Sequence, residues 1–291
     1  MLAATALEGR VVLVTGGTAG LGLSMARRFL ELGASVSVCG RDRARLRGAL
    51  EELRGGARSD PAKSGKGVRV HGSACDVRDF DRVDAWVADA AETLGPPSGL
   101  VNNAAGNFLA ATEDLSPNAF DAVVRIVLHG TFHATLAAGR RMIGAGGGAI
   151  VNIVATYADT GSAFVVPSAA GKGGVLALTR SLAVEWAEYG VRVNAIAPGP
   201  FPTEGAWSRL LPTEELEREA LSRIPLGRFG DHTELAELCA FLLSDASSYI
   251  TGDCITIDGG ATLASGGVFS RLIHRPRDEI KAAFEALRGR A

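Results

Sequence analysis

The chain lacks any pair of cysteines at the spacing of a redox or zinc motif. Cys39, Cys75, Cys239 and Cys254 are widely separated, with no CxxC among them. Buried free thiols in a reducing compartment are the expectation. Neither sign of charge is in excess: 30 Lys and Arg stand against 32 Asp and Glu, a formal net charge of −2. With a pI near 6.2, there is no basic footprint for nucleic acid. The opening segment MLAATALEGR has neither a basic start nor an apolar run long enough for a signal peptide. No uninterrupted apolar stretch approaches a membrane span, and there is neither an internal repeat nor a shift in composition that would mark a second domain. These absences together predict a soluble cytoplasmic protein without nucleic-acid or membrane partners.

What is present is an alternation. Hydrophobic residues make up 47% of the 291 and charged residues 21%, enough apolar side chain for a substantial core. RVVLVT at 10–15 is a β-branched run, followed by a glycine turn and an amphipathic stretch through Leu32. SVSVC at 35–39, VRVHG, LVNNAAG, AIVNIVA at 149–155, VRVNAIAPG and CITIDGG supply further strands. Helices are predicted between them: over 42–54, from Asp79 to Leu94, after Ser116-Pro117, and from roughly Ser168 to Glu188. Alternating strands and helices require right-handed crossovers and a parallel sheet covered on both faces. The reading is one α/β domain over 1–291, with a substrate lid at about 201–222. A tail at about 262–291 ends in an amphipathic helix.

In such a sheet a ligand binds at the carboxyl ends of the strands, where the topology reverses. The turn TGGTAGLG lies between the first strand and the first helix, where a pyrophosphate would meet helix-terminal N–H groups. It nominates Gly16, Thr18, Gly20, Leu21 and Gly22 as dinucleotide contacts. The second strand ends in Cys39-Gly40-Arg41, with no acid before the arginine to hold a ribose 2′-hydroxyl. Arg41 can offer a planar fork to a 2′-phosphate, which favours NADP; the competing reading is a solvated surface arginine, and Asp42 is a helix N-cap candidate. Asp76 suits an acceptor for the adenine amino group.

TGGTAGLG, CDV at 75–77, NNAAG at 102–106 and the APGP turn at 197–200 resemble the short-chain dehydrogenase/reductase family over about residues 8–260. That resemblance implies a single Rossmann-type domain with a seven-stranded parallel sheet, helices on both faces, and assembly into a homotetramer. It adds Val77, Asn103 and Ala104 to the cofactor contacts, puts Lys172 on the nicotinamide ribose, and lays Pro198, Gly199, Pro200 and Phe201 along the nicotinamide.

Most of that family carries Tyr-x-x-x-Lys, with a serine roughly a dozen residues earlier. Here Lys172 remains, Ser168 occupies the tyrosine position, and Tyr157 lies near the usual serine position. A serine hydroxyl is far too weak an acid to replace a phenol, so a plain ketone reductase would lack its proton donor. The run Thr156-Tyr157-Ala158 to Gly161, then Phe164 to Ser168, is similar to the 2,4-dienoyl-CoA reductases, particularly the mitochondrial type. The likeness extends through Gly205-Ala206-Trp207-Ser208-Arg209-Leu210 and into the tail. It implies that Tyr157 and Asn107 donate to a thioester carbonyl while Lys172 and Ser168 organise the cofactor side. It also places Arg78, Phe108, Ser116 and Arg209 at an acyl-CoA substrate. Structural alternatives stand beside these roles: Tyr157 as a packed loop tyrosine, Asn107 capping a turn, Ser168 as N-cap of the helix bearing Lys172.

His129 stands where both the family and this branch usually have an asparagine that helps hold a relay water. Histidine can hydrogen-bond there, but it is larger and titrates. His129 and His133 have i, i+4 spacing, yet no acidic partner or third ligand follows, and no metal is expected. The expected activity is NADPH-dependent reduction of a 2,4-dienoyl-CoA to a trans-3-enoyl-CoA in unsaturated fatty-acid β-oxidation. A reductase for another enoyl or carbonyl substrate, and a non-catalytic NADP-binding subunit, are the alternatives.

Overall fold

The computed structural model describes residues 2–58, 70–203, 213–266 and 269–288. Seven parallel strands form one sheet in the order β3-β2-β1-β4-β5-β6-β7: β1 Val11–Thr15, β2 Ser35–Gly40, β3 Val70–Ala74, β4 Gly99–Asn102, β5 Gly148–Ile153, β6 Val191–Pro198 and β7 Cys254–Ile257. The strand order reverses between β1 and β4, which opens a crevice at their carboxyl ends.

Alternation along β1 divides the core. Val12 and Val14 point to one face, with Met25, Phe29 and Leu235, whereas Leu13 points to the other, with Trp86, Leu100 and Ile150. The first face is covered by α1 (Gly20–Glu31), α2 (Arg43–Arg58) and the helix His232–Leu243. The second is covered by α3 (Phe80–Leu94), α4 (Pro117–Val124), α5 (Gly130–Gly144) and, beyond the one-turn α6 (Tyr157–Thr160), α7 (Val166–Glu185). Among the described residues the remaining helices, in chain order, are α8 (Glu214–Ser222), α9 (His232–Leu243), α10 (Ala261–Gly266) and α11 (Arg277–Arg288).

Two caps expected from sequence form: Asp42 Oδ1 accepts the N–H groups of Ala44 and Arg45, and Ser116 accepts from Ala119 with proline inside the first turn. A further cap, not expected, is Asp79, which accepts from Arg82. One expected start was wrong. α7 begins at Val166, so Ser168 lies within its first turn, 2% exposed, and caps nothing.

The rod Pro117–Gly144 is long and apolar enough to cross a membrane by length and composition, at mean hydropathy 1.2. The expectation from uninterrupted runs missed it because Asp121, Arg125, Arg140 and Arg141 interrupt the sequence without lowering the helical average much. Its apolar residues have an internal use: half of its most apolar stretch is buried in the fold, against α3, α7 and the sheet. Where α4 meets α5 the backbone makes a π-turn over Arg125–His129, a feature found frequently at functional sites.

Candidate active site

The glycine turn is built by close approach. Gly16 has φ +65°, a left-handed conformation, and a Cβ there would meet the Ala104 Cα at 3.0 Å. Asn103 fastens the turn to β4: its Nδ2 donates to the carbonyls of Thr15 and Gly16 at 3.1 and 3.2 Å. Thr15 returns the contact, its buried Oγ1 accepting the N–H groups of Asn103 and Ala104, both at 3.0 Å. The sequence reading missed Thr15; its place at the end of β1, opposite NNAAG across the switch point, was the available signal. Asn103 was expected to touch cofactor, but its amide is committed to holding the turn. Ala19 caps α1 without a side-chain hydrogen bond, unlike Asp79 or Ser116, which leaves the first-turn N–H groups of Gly20, Leu21 and Gly22 for an external anion. The turn therefore fits a dinucleotide pyrophosphate.

Beyond the carboxyl ends of β2 and β3 lies an open depression of about 490 Å³ lined by Arg41, Arg43, Cys75, Asp76, Arg78, Asp79, Arg82 and Arg125. Arg41, Asp76 and Arg78 were expected from sequence; Arg43, Arg82 and Arg125 were not, because only the fold brings α2, α3 and the π-turn to one rim. Arg78 donates to both oxygens of Asp76, with contacts from 2.6 to 3.1 Å, and holds that carboxyl below the usual aspartate range. Asp76 retains lone pairs for a further donor. Arg78, read as a substrate contact, is thus paired with Asp76, read as an acceptor for adenine. Cys39 is fully buried and Cys75 nearly so; burial pushes the Cys39 thiol up. All four cysteines are free, as expected.

At the other end of the crevice, Tyr157 opens α6 and Ser168 lies in α7. The Tyr157 hydroxyl and Ser168 Oγ are 3.1 Å apart. Asn107, in the loop after β4, places Nδ2 at 3.5 Å from the same hydroxyl, a long contact, while its Oδ1 accepts the Phe108 N–H at 2.9 Å. That acceptor contact orients the amide so that its N–H groups face the phenol. One turn along α7 from Ser168, Lys172 is 7% exposed and donates to the Ile153 carbonyl at the end of β5. Burial alone lowers its pKa to about 8. The structure thus brings Asn107, Tyr157, Ser168 and Lys172 to one place from three segments.

Other expected residues fall differently. Phe108 is partly exposed beside Asn107. Ser116 caps α4. Pro198 ends β6 and Gly199 packs against Asp258, where a Cβ would fall 2.6 Å from the Asp258 Cβ. Phe201 is 8% exposed and its ring belongs to the core, against Gly230, so only its backbone is available to a nicotinamide. Arg209 and the run 205–210 lie outside the described residues, as does the middle of the expected lid. His133 is bound to the Val77 carbonyl through Nδ1 at 2.9 Å, and no group of three metal-ligating side chains exists among the described residues.

The profile described as enoyl-(acyl carrier protein) reductase matches residues 16–262. The chain belongs to the short-chain dehydrogenase/reductase family. Within it, the chain is 44% identical over 88% of its length to a Bacillus subtilis (strain 168) protein, covering 98% of that protein. That relative is named Probable 2,4-dienoyl-CoA reductase, (2E)-enoyl-CoA-producing. A Caenorhabditis elegans protein, Probable 2,4-dienoyl-CoA reductase 3, (3E)-enoyl-CoA-producing, is 42% identical over 88% of this chain and 81% of its own. Among solved structures, a gluconate 5-dehydrogenase from Burkholderia cenocepacia J2315 in complex with NADP and tartrate superposes with TM-score 0.81. It is 31% identical, over 89% of this chain and 98% of that one. This short-chain dehydrogenase/reductase is an oxidoreductase of the nicotinamide-dependent kind its family comprises.

Proposed function

We propose that the protein is an NADPH-dependent 2,4-dienoyl-CoA reductase that forms a trans-3-enoyl-CoA, the step that clears conjugated double bonds during fatty-acid β-oxidation. One observation carries the reading: the phenol stands at Tyr157, held by Ser168 and beside the Asn107 amide, instead of at position 168, one helical turn before Lys172. NADPH, when bound, supplies a hydride to the δ-carbon of the dienoyl thioester. The negative charge that develops on the thioester oxygen then needs donors, not reduction of the carbonyl. Ser168 can donate to the Tyr157 oxygen, which leaves the phenolic O–H for the substrate. Asn107 adds an amide N–H from a carbonyl-anchored, fixed orientation. Two such donors form an oxyanion hole, each worth about 2.7–4 kcal/mol where such donors have been removed.

Arg41, with no acid before it, supports NADP over NAD, and the NADP-bound gluconate 5-dehydrogenase supports it by family. The relatives' names support an acyl-CoA substrate. Exposed Phe132, Val184 and Tyr249 support burial of these faces in a homotetramer.

The test is NADPH oxidation with 2,4-hexadienoyl-CoA beside a panel of simple ketones, with the product identified by NMR. Protonation at the α-carbon leaves the 3-enoyl thioester, and that product with ketones inert is the expected result. The 2-enoyl thioester would move protonation to the γ-carbon and correct the product. Active ketones with an inert dienoyl-CoA would overturn the reading.

A further inference from the structure

Phe164 is the sole non-glycine residue with a positive φ among the described residues, at +64°. A side chain with a Cβ is disfavoured in that conformation, and glycine is available nearby, since Gly161 adopts φ +75°. The ring gains no burial in return: Phe164 is 61% exposed, while Val165 next to it is buried. A bulky aromatic held in a strained conformation and left in solvent has no packing reason to be there, and strain of this kind gathers at functional sites.

Its neighbours indicate the use. The Ala110 N–H donates to the Phe164 carbonyl at 3.0 Å, which joins the α6–α7 connection to the loop after β4. The first of these segments begins from Tyr157 and the second carries Asn107, the two donors of the reaction site. The loop after β4 also exposes Phe108 at 37% and Leu109 at 53%. An apolar rim therefore flanks the donor pair on both of the segments that supply it. A dienoyl thioester whose carbonyl rests on Tyr157 and Asn107 would have this apolar rim beside it, and the alkyl tail is the apolar end of that ligand.

We infer that Phe164, with Phe108 and Leu109, receives the alkyl tail beyond the reacting diene and sets the enzyme's preference for chain length. This inference rests on the dienoyl-CoA reductase reading. Its readout is the ratio of kcat/KM for 2,4-decadienoyl-CoA to that for 2,4-hexadienoyl-CoA. The ratio is measured in the wild type, Phe164→Leu, Phe164→Ala and Phe164→Gly. Alanine and glycine should lower the ratio about tenfold, the loss expected when a few methylenes go uncovered, and leucine should keep most of it. Glycine adopts the backbone conformation without strain, so a lowered ratio in that variant does not come from backbone strain. Ratios within about twofold of wild type, or equal losses on both substrates, would overturn the inference while the functional reading stands. A wild type that reduces neither dienoyl-CoA would overturn that reading and this inference with it.

Discussion

The Tyr157 hydroxyl and Ser168 Oγ lie 3.1 Å apart across eleven residues of sequence. The phenol and the residue in its usual family position thus meet at one point of the crevice. Ser168 is buried in α7 and its hydroxyl meets the tyrosine, so under the proposed function the serine positions the phenol and the phenol is left to face the substrate.

That division of labour predicts unequal losses. Tyr157→Phe removes an oxyanion donor and should lower kcat about 10²–10³-fold, and Asn107→Ala should fall in or below that range because its contact is longer. Ser168→Ala removes one neutral hydrogen bond and should cost about tenfold or less. Steady-state kinetics on the dienoyl-CoA, with circular dichroism as a folding control, measures all three. Unchanged turnover in both Tyr157→Phe and Asn107→Ala would remove the basis of the mechanism.

Lys172 makes stability depend on pH in the apo protein. Burial lowers its folded pKa to about 8 from 10.5, so between these values the unfolded chain binds more protons than the folded one. Stability should therefore rise with pH across that window and be flat in this group's contribution below it. The full span corresponds to about 3 kcal/mol. Urea melts at a series of pH values from about 7 to about 10 should show the rise in the wild type. Lys172→Met should remove it and be the more stable protein at neutral pH, although inactive.

Arg41 should decide the cofactor. Charge-assisted hydrogen bonds to a 2′-phosphate are each worth about 1.5–3 kcal/mol, so Arg41→Ala should cut the preference for NADPH over NADH by about ten- to a hundredfold. Competing kcat/KM values for the two nucleotides measure it. An unaltered preference would transfer the role to Arg43, Arg78, Arg82 or Arg125 around the same depression.

Two glycine substitutions separate close packing from helix propensity. A Cβ on Gly22 would fall 2.3 Å from the Gly16 carbonyl oxygen and 2.6 Å from Asn103 Nδ2. Gly22→Ala should destabilise by about 1–3 kcal/mol, lower Tm by several degrees and weaken nucleotide binding. On α2, a Cβ at Gly48 meets nothing within 4 Å, and Gly48→Ala should raise Tm slightly, since alanine in a helix is favoured by about 0.5–1 kcal/mol. Thermal melts with and without NADPH compare the pair.

The amino-acid sequence determined the parallel α/β sheet, because strands such as Val11–Thr15 and helices such as Phe80–Leu94 carry their periodicities locally. It also determined the glycine turn, the caps at Asp42 and Ser116, and the nomination of Tyr157, Ser168, Lys172 and Asn107, since spacing and family likeness are properties of the linear chain. Only the tertiary structure decided how those residues act on one another. Ser168 does not take the capping role that stood as its structural alternative, because α7 starts two residues earlier than its pattern suggests. Asn103 proved to hold the turn through Thr15, Phe201 turned its ring into the core, and Arg43, Arg82 and Arg125 joined Arg41 at one rim. None of these follows from local pattern, since each depends on contacts between segments far apart in sequence, and such contacts exist only once the sheet fixes which strand ends are neighbours. The left-handed Phe164 is the clearest case: no local preference selects phenylalanine for that conformation, and the hydrogen bond from Ala110 that fastens the segment spans two loops on different strands.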